Sequence, residues 1–214
     1  RHNLPSIAPR LWVNTIFSIC VWIDRHRGDQ MFSHRIGEDT ELCFRHERHA
    51  DELFVLVDRN RAYLRKWFPW LDGTVTADDG RGLIKVLLES FGRGELPLLG
   101  IWHLGKLVGT VGFTRVNSSN RAAEIGYCIS EDQQEKGLIT RACTAMIAYG
   151  FNELDYNRIV IRAAVDNLPS RAVPERLGFT YEGTERQSEW HYDHFKDVAA
   201  YSMLADEWRN LEQS

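Results

Sequence analysis

The residues Gln134-Glu135-Lys136-Gly137-Leu138-Ile139-Thr140 follow closely on an apolar run, Ala123-Glu124-Ile125-Gly126-Tyr127-Cys128-Ile129. The run has the composition of a short strand, and the glycine marks a loop that turns into a helix. The free N–H groups of such a loop and of the helix N-terminus behind it are donors that hold phosphate. Gly137 lets backbone approach an anion closely, and Lys136 adds a positive charge. The chemistry this spacing offers is the binding of a phosphate-bearing cofactor. Taken alone, the segment reads equally well as an ordinary loop before a helix.

Three other places carry groups able to react. Glu124 is an acid inside an apolar strand, poised either to act as a base or to pair with an arginine. Asn167 and Ser170, with Pro169 between them, have the spacing of a helix cap. Glu189 is a carboxylate close in sequence to His191 and His194, which match no metal-ligand spacing and read as surface or cleft residues. Ser170 has no G-x-S-x-G elbow around it, so it is not an acyl-accepting nucleophile of the hydrolase kind.

The elements that must position these groups are legible in outline. Glu41 to Arg45 alternates as a strand, and a helix runs from His49 to about Lys66 with Leu53, Leu56, Val57 and Leu64 on one face. Trp67-Phe68-Pro69-Trp70 is an aromatic cluster at a proline breaker, either a cleft wall or a cap on the core. Thr76 caps a helix with acidic first-turn residues that runs to about Phe91 and is closed by Gly92 and Gly94. Leu98–His103 and Lys106–Arg115 are strands joined at Leu104-Gly105. Ala122–Ile129 is the next strand, and a long helix runs from Gly137 to Leu154. Arg158–Val165 is a strand and Ser170–Leu177 a helix stopped by Gly178. Two last strands, Tyr181–Gln187 and Phe195–Leu204, precede a helical turn from Ala205 to Glu212. This order predicts an α/β sheet of mixed direction.

The chain has 214 residues, enough for one domain or one domain with a tail. A net charge of −4 argues against nucleic acid as a partner. The four cysteines, Cys20, Cys43, Cys128 and Cys143, are widely spaced and without a C-x-x-C pair. That spacing predicts a reducing compartment, no disulfides and no metal. Residues 1–30 fit the remainder poorly. Their apolar run from Leu11 to Ile23 falls short of the roughly 20 residues that cross a bilayer. Asp24-Arg25-His26-Arg27 stands where a signal peptide would have a cleavage site. Residues 1–30 are therefore expected to be a non-native or upstream extension rather than a membrane or export signal, with a self-contained domain over 31–214.

The order of elements and these motifs resemble the GNAT superfamily of acetyl-CoA-dependent N-acetyltransferases. Gln134, Gly137 and Ile139 stand at the three positions of that superfamily's acyl-CoA loop, with Ile139 and Glu135 departing from the usual small residues. Ala123–Tyr127, the Asn-x-x-Ser of Asn167–Ser170, and Glu175-Arg176-Leu177-Gly178-Phe179 followed by Glu182-Gly183 resemble the Rim-type subgroup, which acetylates ribosomal-protein N-termini. The resemblance runs from about Met31 to Trp208.

It implies a mixed, largely antiparallel sheet flanked by helices on both faces. The strands ending near Ile129 and starting near Arg158 should splay apart in a V. It also implies acetyl-CoA as co-substrate, with no metal. Ile129, Gln134, Glu135, Lys136, Gly137, Leu138, Ile139, Thr140 and Asn167 would bind it. Glu189 would be the general base and Ser170 would assist the leaving thiolate, with Glu124 as the rival base. The acceptor implied is a protein N-terminal amine in the cytoplasm. The same reaction on a small amine (a polyamine, amino acid or antibiotic) is the alternative, and a non-catalytic acyl-CoA-binding regulator is the alternative of another class. No membrane or nucleic-acid partner is expected, and a homo-oligomer is left open.

Overall fold

The computed structural model describes residues 33–92 and 98–213, so the leader at 1–30 and the closing Gly94 lie outside the described residues. Eight strands form one sheet. They are β1 (Ser33–Arg35), β2 (Thr40–Cys43), β3 (Leu99–His103), β4 (Lys106–Asn117), β5 (Ala122–Ile129), β6 (Arg158–Ala164), β7 (Thr180–His191) and β8 (His194–Leu204). Their order is β1-β2-β3-β4-β5-β6-β8-β7. Among the described residues only the β5–β6 pair is parallel; its strands are joined through helix α4 (Leu138–Asn152), as a parallel crossover requires.

Side chains alternate across the pleat and divide the core in two. Leu42, Ile101 and Val108 face one cluster, with helices α4, α5 (Leu168–Arg176) and α6 (Ala205–Glu212) over it. Their neighbours Cys43, Trp102 and Leu107 face the other, with α1 (Ala50–Arg59), α2 (Arg61–Leu64) and α3 (Ala77–Gly92). The sheet is thus covered on both faces.

The helix expected over 49–66 is two helices. Asn60 leaves helical geometry at φ −106°, and its side chain donates back to the Leu56 carbonyl at 2.8 Å. Such a local bond competes with the helical ladder and ends α1. The same side chain accepts from the Glu131 N–H at 2.8 Å, so the break also anchors the loop after β5. The Thr76 cap is present: Asp79 accepts from the Thr76 N–H at 2.7 Å while its own N–H donates to the Thr76 hydroxyl at 3.2 Å. Leu104 and Gly105 both have positive φ, 51° and 74°, as a two-residue turn of the I′ kind needs.

Strands β5 and β6 pair only from Ala122↔Arg158 to Ile125↔Ile161. Beyond Ile125, β5 stays with β4 and β6 stays with β8, so the sheet opens in a V. Opposite the mouth, β4 bulges between Phe113 and Arg115. A Cβ on Gly126 would lie 2.5 Å from the Thr114 methyl, so a larger residue there would require the exposed Thr114 side chain to turn away.

Candidate active site

The loop beyond the V is built to leave donors unused. Ser130 donates to Val108 at 2.8 Å and ends β5. Glu135 and Gly137 then take left-handed φ values of 60° and 70°, and Gly137 becomes the N-cap of α4. No side chain caps this helix, so its first N–H groups remain available to a ligand. A cavity of about 710 Å³ lies against them. Ile129, Gln134, Glu135, the segment Gly137–Thr140, Asn167 and Ser170 all line it.

Lys136 does not line that cavity; its ammonium donates to Gln133 Oε1 at 2.9 Å. Two arginines supply the positive charge instead. Arg141 donates to the Lys136 carbonyl at 3.3 Å and to the Thr40 hydroxyl at 3.4 Å, and its Nε is buried with no partner. Arg176 donates to the Thr140 hydroxyl at 2.9 Å. Two guanidinium groups lining the same cavity as unused helix donors fit a polyphosphate. Ile139 turns its side chain into the core, which explains how a large residue stands at a position usually small.

A second cavity, about 390 Å³, opens on the other side of Tyr127. Trp67, Phe68, Tyr127, Asn167 and Ser170 border both spaces. The aromatic cluster is therefore a cleft wall, while the following Leu71 goes into the core. At the junction the Tyr127 hydroxyl donates to the Ser170 carbonyl at 2.8 Å, and the Ser170 hydroxyl donates to the Tyr127 oxygen at 3.3 Å. Burial drives the Tyr127 phenol far above its ordinary value of 10, so it stays protonated. The expected cap is also present, with the Ser170 N–H donating to Asn167 Oδ1 at 3.3 Å.

Glu124 and Glu189 both line this second cavity. Glu124 is 17 % exposed and accepts from Arg162 at 2.6 Å, with Arg115 at 3.7 Å. Arg162 also bridges to Glu185 at 2.9 Å. Glu189 is 46 % exposed and lies 3.4 Å from His191 Nε2. It sits within β7, which continues past the expected end at Gln187 to His191. His191 is buried in the cleft wall, whereas His194 is exposed. The wall is stitched from both ends of the chain. Tyr192 donates to the Arg65 carbonyl at 3.0 Å under the Arg65 guanidinium, and the Lys196 ammonium lies 4.4 Å over the Trp67 ring.

Four residues of these cavities escape a reading by motif: Tyr127, Arg141, Arg162 and His191. The alternation that buries Ile125 puts Tyr127 on the same face of β5, at the mouth of the V. An arginine inside the β-branched run Arg158–Val165 is the comparable signal for Arg162.

The sequence pattern of the Acetyltransferase (GNAT) domain matches residues 41–180. The chain belongs to the GNAT acetyltransferase family. This acetyltransferase is 35% identical over 182 residues to YdaF of Bacillus subtilis, provisionally named a ribosomal N-acetyltransferase, covering 83% of this chain and 98% of that one. It is 30% identical over 172 residues to the ribosomal-protein-serine acetyltransferase of Escherichia coli, covering 80% and 96%. The solved structure of RimL, a ribosomal L7/L12 alpha-N-protein acetyltransferase in complex with coenzyme A, superposes with a TM-score of 0.77 at 27% identity, over 82% of this chain and 99% of that one. Among the described residues no helix is long and apolar enough to cross a membrane.

Proposed function

We propose that this acetyltransferase transfers acetyl from acetyl-CoA to the N-terminal amine of a protein, a ribosomal protein foremost, in the cytoplasm. The observation that carries the reading is the meeting of two cavities at Tyr127 and Ser170. The larger holds phosphate-binding donors, and the smaller holds, on an aromatic wall, a half-exposed carboxylate, Glu189, that no arginine or lysine among the described residues engages. The relatives named for ribosomal-protein acetylation support the choice of acceptor.

Acetyl-CoA supplies the activated acyl group as a thioester. The α4 N-terminus, Arg141 and Arg176 hold its phosphates, while Ile129 and Asn167 flank the arm that reaches the V. An α-amino group has a pKa near 8 and arrives largely as an ammonium ion at neutral pH, so a proton must leave before nitrogen can attack. Glu189 accepts that proton; Glu124 is held by two arginines and is the poorer base. The new C–N bond forms as C–S breaks; the Ser170 hydroxyl, turned from Tyr127, passes its proton to the departing sulfur and is reprotonated by the second proton the nitrogen sheds, leaving the amide and the coenzyme A thiol. The proton on Glu189 returns to solvent.

The volume of the acceptor cavity, about 390 Å³, also suits a small amine, which is the second reading. Thiol release from acetyl-CoA tests both, with peptides carrying ribosomal N-terminal sequences set against polyamines, amino acid derivatives and aminoglycosides. Faster turnover of the peptides supports the proposal, and faster turnover of a small amine overturns it. Coenzyme A binding with no amine turned over points to a regulator.

A further inference from the structure

We propose that His191 is the positioning residue for the Glu189 carboxylate; this rests on Glu189 being the base. Residues two apart in a strand project from the same face, so Glu189 and His191 are neighbours on β7. Of the 12 residues of β7, an edge strand, His191 alone is buried. It is 3 % exposed at the floor of the acceptor cavity, while Glu189 beside it is nearly half exposed.

A buried position at the end of an exposed strand is filled most simply by an apolar residue. Histidine there carries two ring nitrogens that must be satisfied. Nδ1 is buried and has no partner. Nε2 lies 3.4 Å from Glu189 Oε2. The arrangement leaves a nitrogen unpaired, which packing alone does not explain, and among the described residues the ring's hydrogen bond is to the proposed base. In the neutral ring that contact calls for the tautomer with hydrogen on Nε2, which donates to the carboxylate.

The backbone fixes the ring from both sides. His191 pairs with His194 across the hairpin, and its carbonyl accepts from the Asp193 N–H at 2.7 Å. Tyr192, the next residue, is tied to the Arg65 carbonyl. The imidazole is therefore a rigid donor, and Glu189 is a flexible acceptor with three side-chain torsions. The Nε2–H bond selects the rotamer that keeps the carboxylate facing the acceptor amine. Oε1 is left to take the proton.

The test is a double-mutant cycle read by thiol release, using a peptide with an N-terminal serine, or spermidine if only small amines turn over. His191→Leu fills the same space without a nitrogen. It is expected to lower kcat about tenfold or more, leaving the acetyl-CoA KM and the melting temperature unchanged. His191→Gln, whose amide nitrogen reaches the place of Nε2, retains most activity; His191→Asn, which reaches only the place of Nδ1, does not. In a Glu189→Gln background, His191→Leu costs nothing further. An equal loss in both backgrounds, a better rescue by Asn than by Gln, or parental kcat in His191→Leu would overturn the assignment. A Glu189→Gln enzyme with parental kcat removes the base itself, and is told apart from a slow Glu189→Gln beside an unaffected His191→Leu. The ring 15N spectrum of the free protein gives a reading independent of any acceptor. The Nε2 signal should move on Glu189→Gln, and an unmoved signal also overturns the proposal.

Discussion

The Tyr127 hydroxyl donates to the Ser170 carbonyl at 2.8 Å while the Ser170 hydroxyl donates to Tyr127 at 3.3 Å. One phenol thus holds the backbone and the side chain of the same serine, at the boundary between the two cavities. Each end of Ser170 is fixed by a group on β5, across the open V. In the proposed mechanism the longer of the two bonds is the one that breaks when Ser170 turns toward the leaving sulfur.

Tyr127→Phe keeps the ring and removes both bonds. It is expected to lower kcat about tenfold, and Ser170→Ala about as much or more. Because both act through one hydroxyl, the double variant should be little slower than Ser170→Ala alone. Steady-state kinetics on the four enzymes measures this; independent, multiplying losses would contradict it.

Gly137 stands at φ 70° where α4 begins. Gly137→Ala should cost about 1–2 kcal/mol of stability, the strain of a left-handed alanine. It should also raise the acetyl-CoA KM several-fold while kcat holds, because the loop donors shift and the chemical step does not. Denaturant melts and acetyl-CoA titrations read the two effects.

Arg162 is shared by Glu124 and Glu185. Arg162→Met would leave Glu124 and Glu185 without the guanidinium they share, with a loss of about 1–3 kcal/mol. Adding Glu124→Gln should restore part of the loss. Melting temperatures of the parent and the two variants decide the matter, and a double variant no better than Arg162→Met would count against it.

Arg158 grips Glu182, with Nη1 donating to Oε1 at 2.7 Å, and holds that carboxyl below its ordinary value of 4.5. The folded chain therefore binds this proton less readily than the unfolded chain. Stability from the pair is complete above about pH 4.5 and fades as pH falls through the lower folded value. Thermal melts of the parent and Arg158→Met should differ near neutral pH and converge in acid. A gap that persists unchanged at low pH would show the pair is not its source.

Elements written by local periodicity are legible in the chain: the α4 face through Leu138, Ala142 and Met146, the Thr76 cap, and the strands either side of Leu104-Gly105. The Ser33–Arg35 strand is not, since three residues are too few to carry a period, and its partner β2 starts at Thr40 rather than Glu41. Asn60 is a fair helix residue by position, and only its bonds to Leu56 and Glu131 turn it into a break. The phosphate loop is legible because glycine and helix start are adjacent in sequence. Charge partners are harder. Lys136 is the cation nearest the loop in sequence, yet the cavity is lined by Arg141 and Arg176, whose places depend on how α4 and α5 pack. The partner that occupies Glu124 is 38 residues away, on a strand brought alongside only by the parallel crossover.

The clasp of Tyr192 on Arg65 and Lys196 on Lys66 joins residues 127 and 130 apart in the chain. The loop before α4 is tied over shorter spans, Glu131 to Asn60 71 residues back and Arg141 to Thr40 101 residues back. Ring closure over so long a span carries more entropy loss than closure within neighbouring elements, and contacts of that kind form late in folding. Both cavities therefore depend on long-range closure rather than on local structure. A chain without its final hairpin would keep Trp67, Phe68 and Glu124 for the smaller cavity and lose Glu189, Trp190 and His191, so its carboxylate held by arginine would remain and its freer one would not.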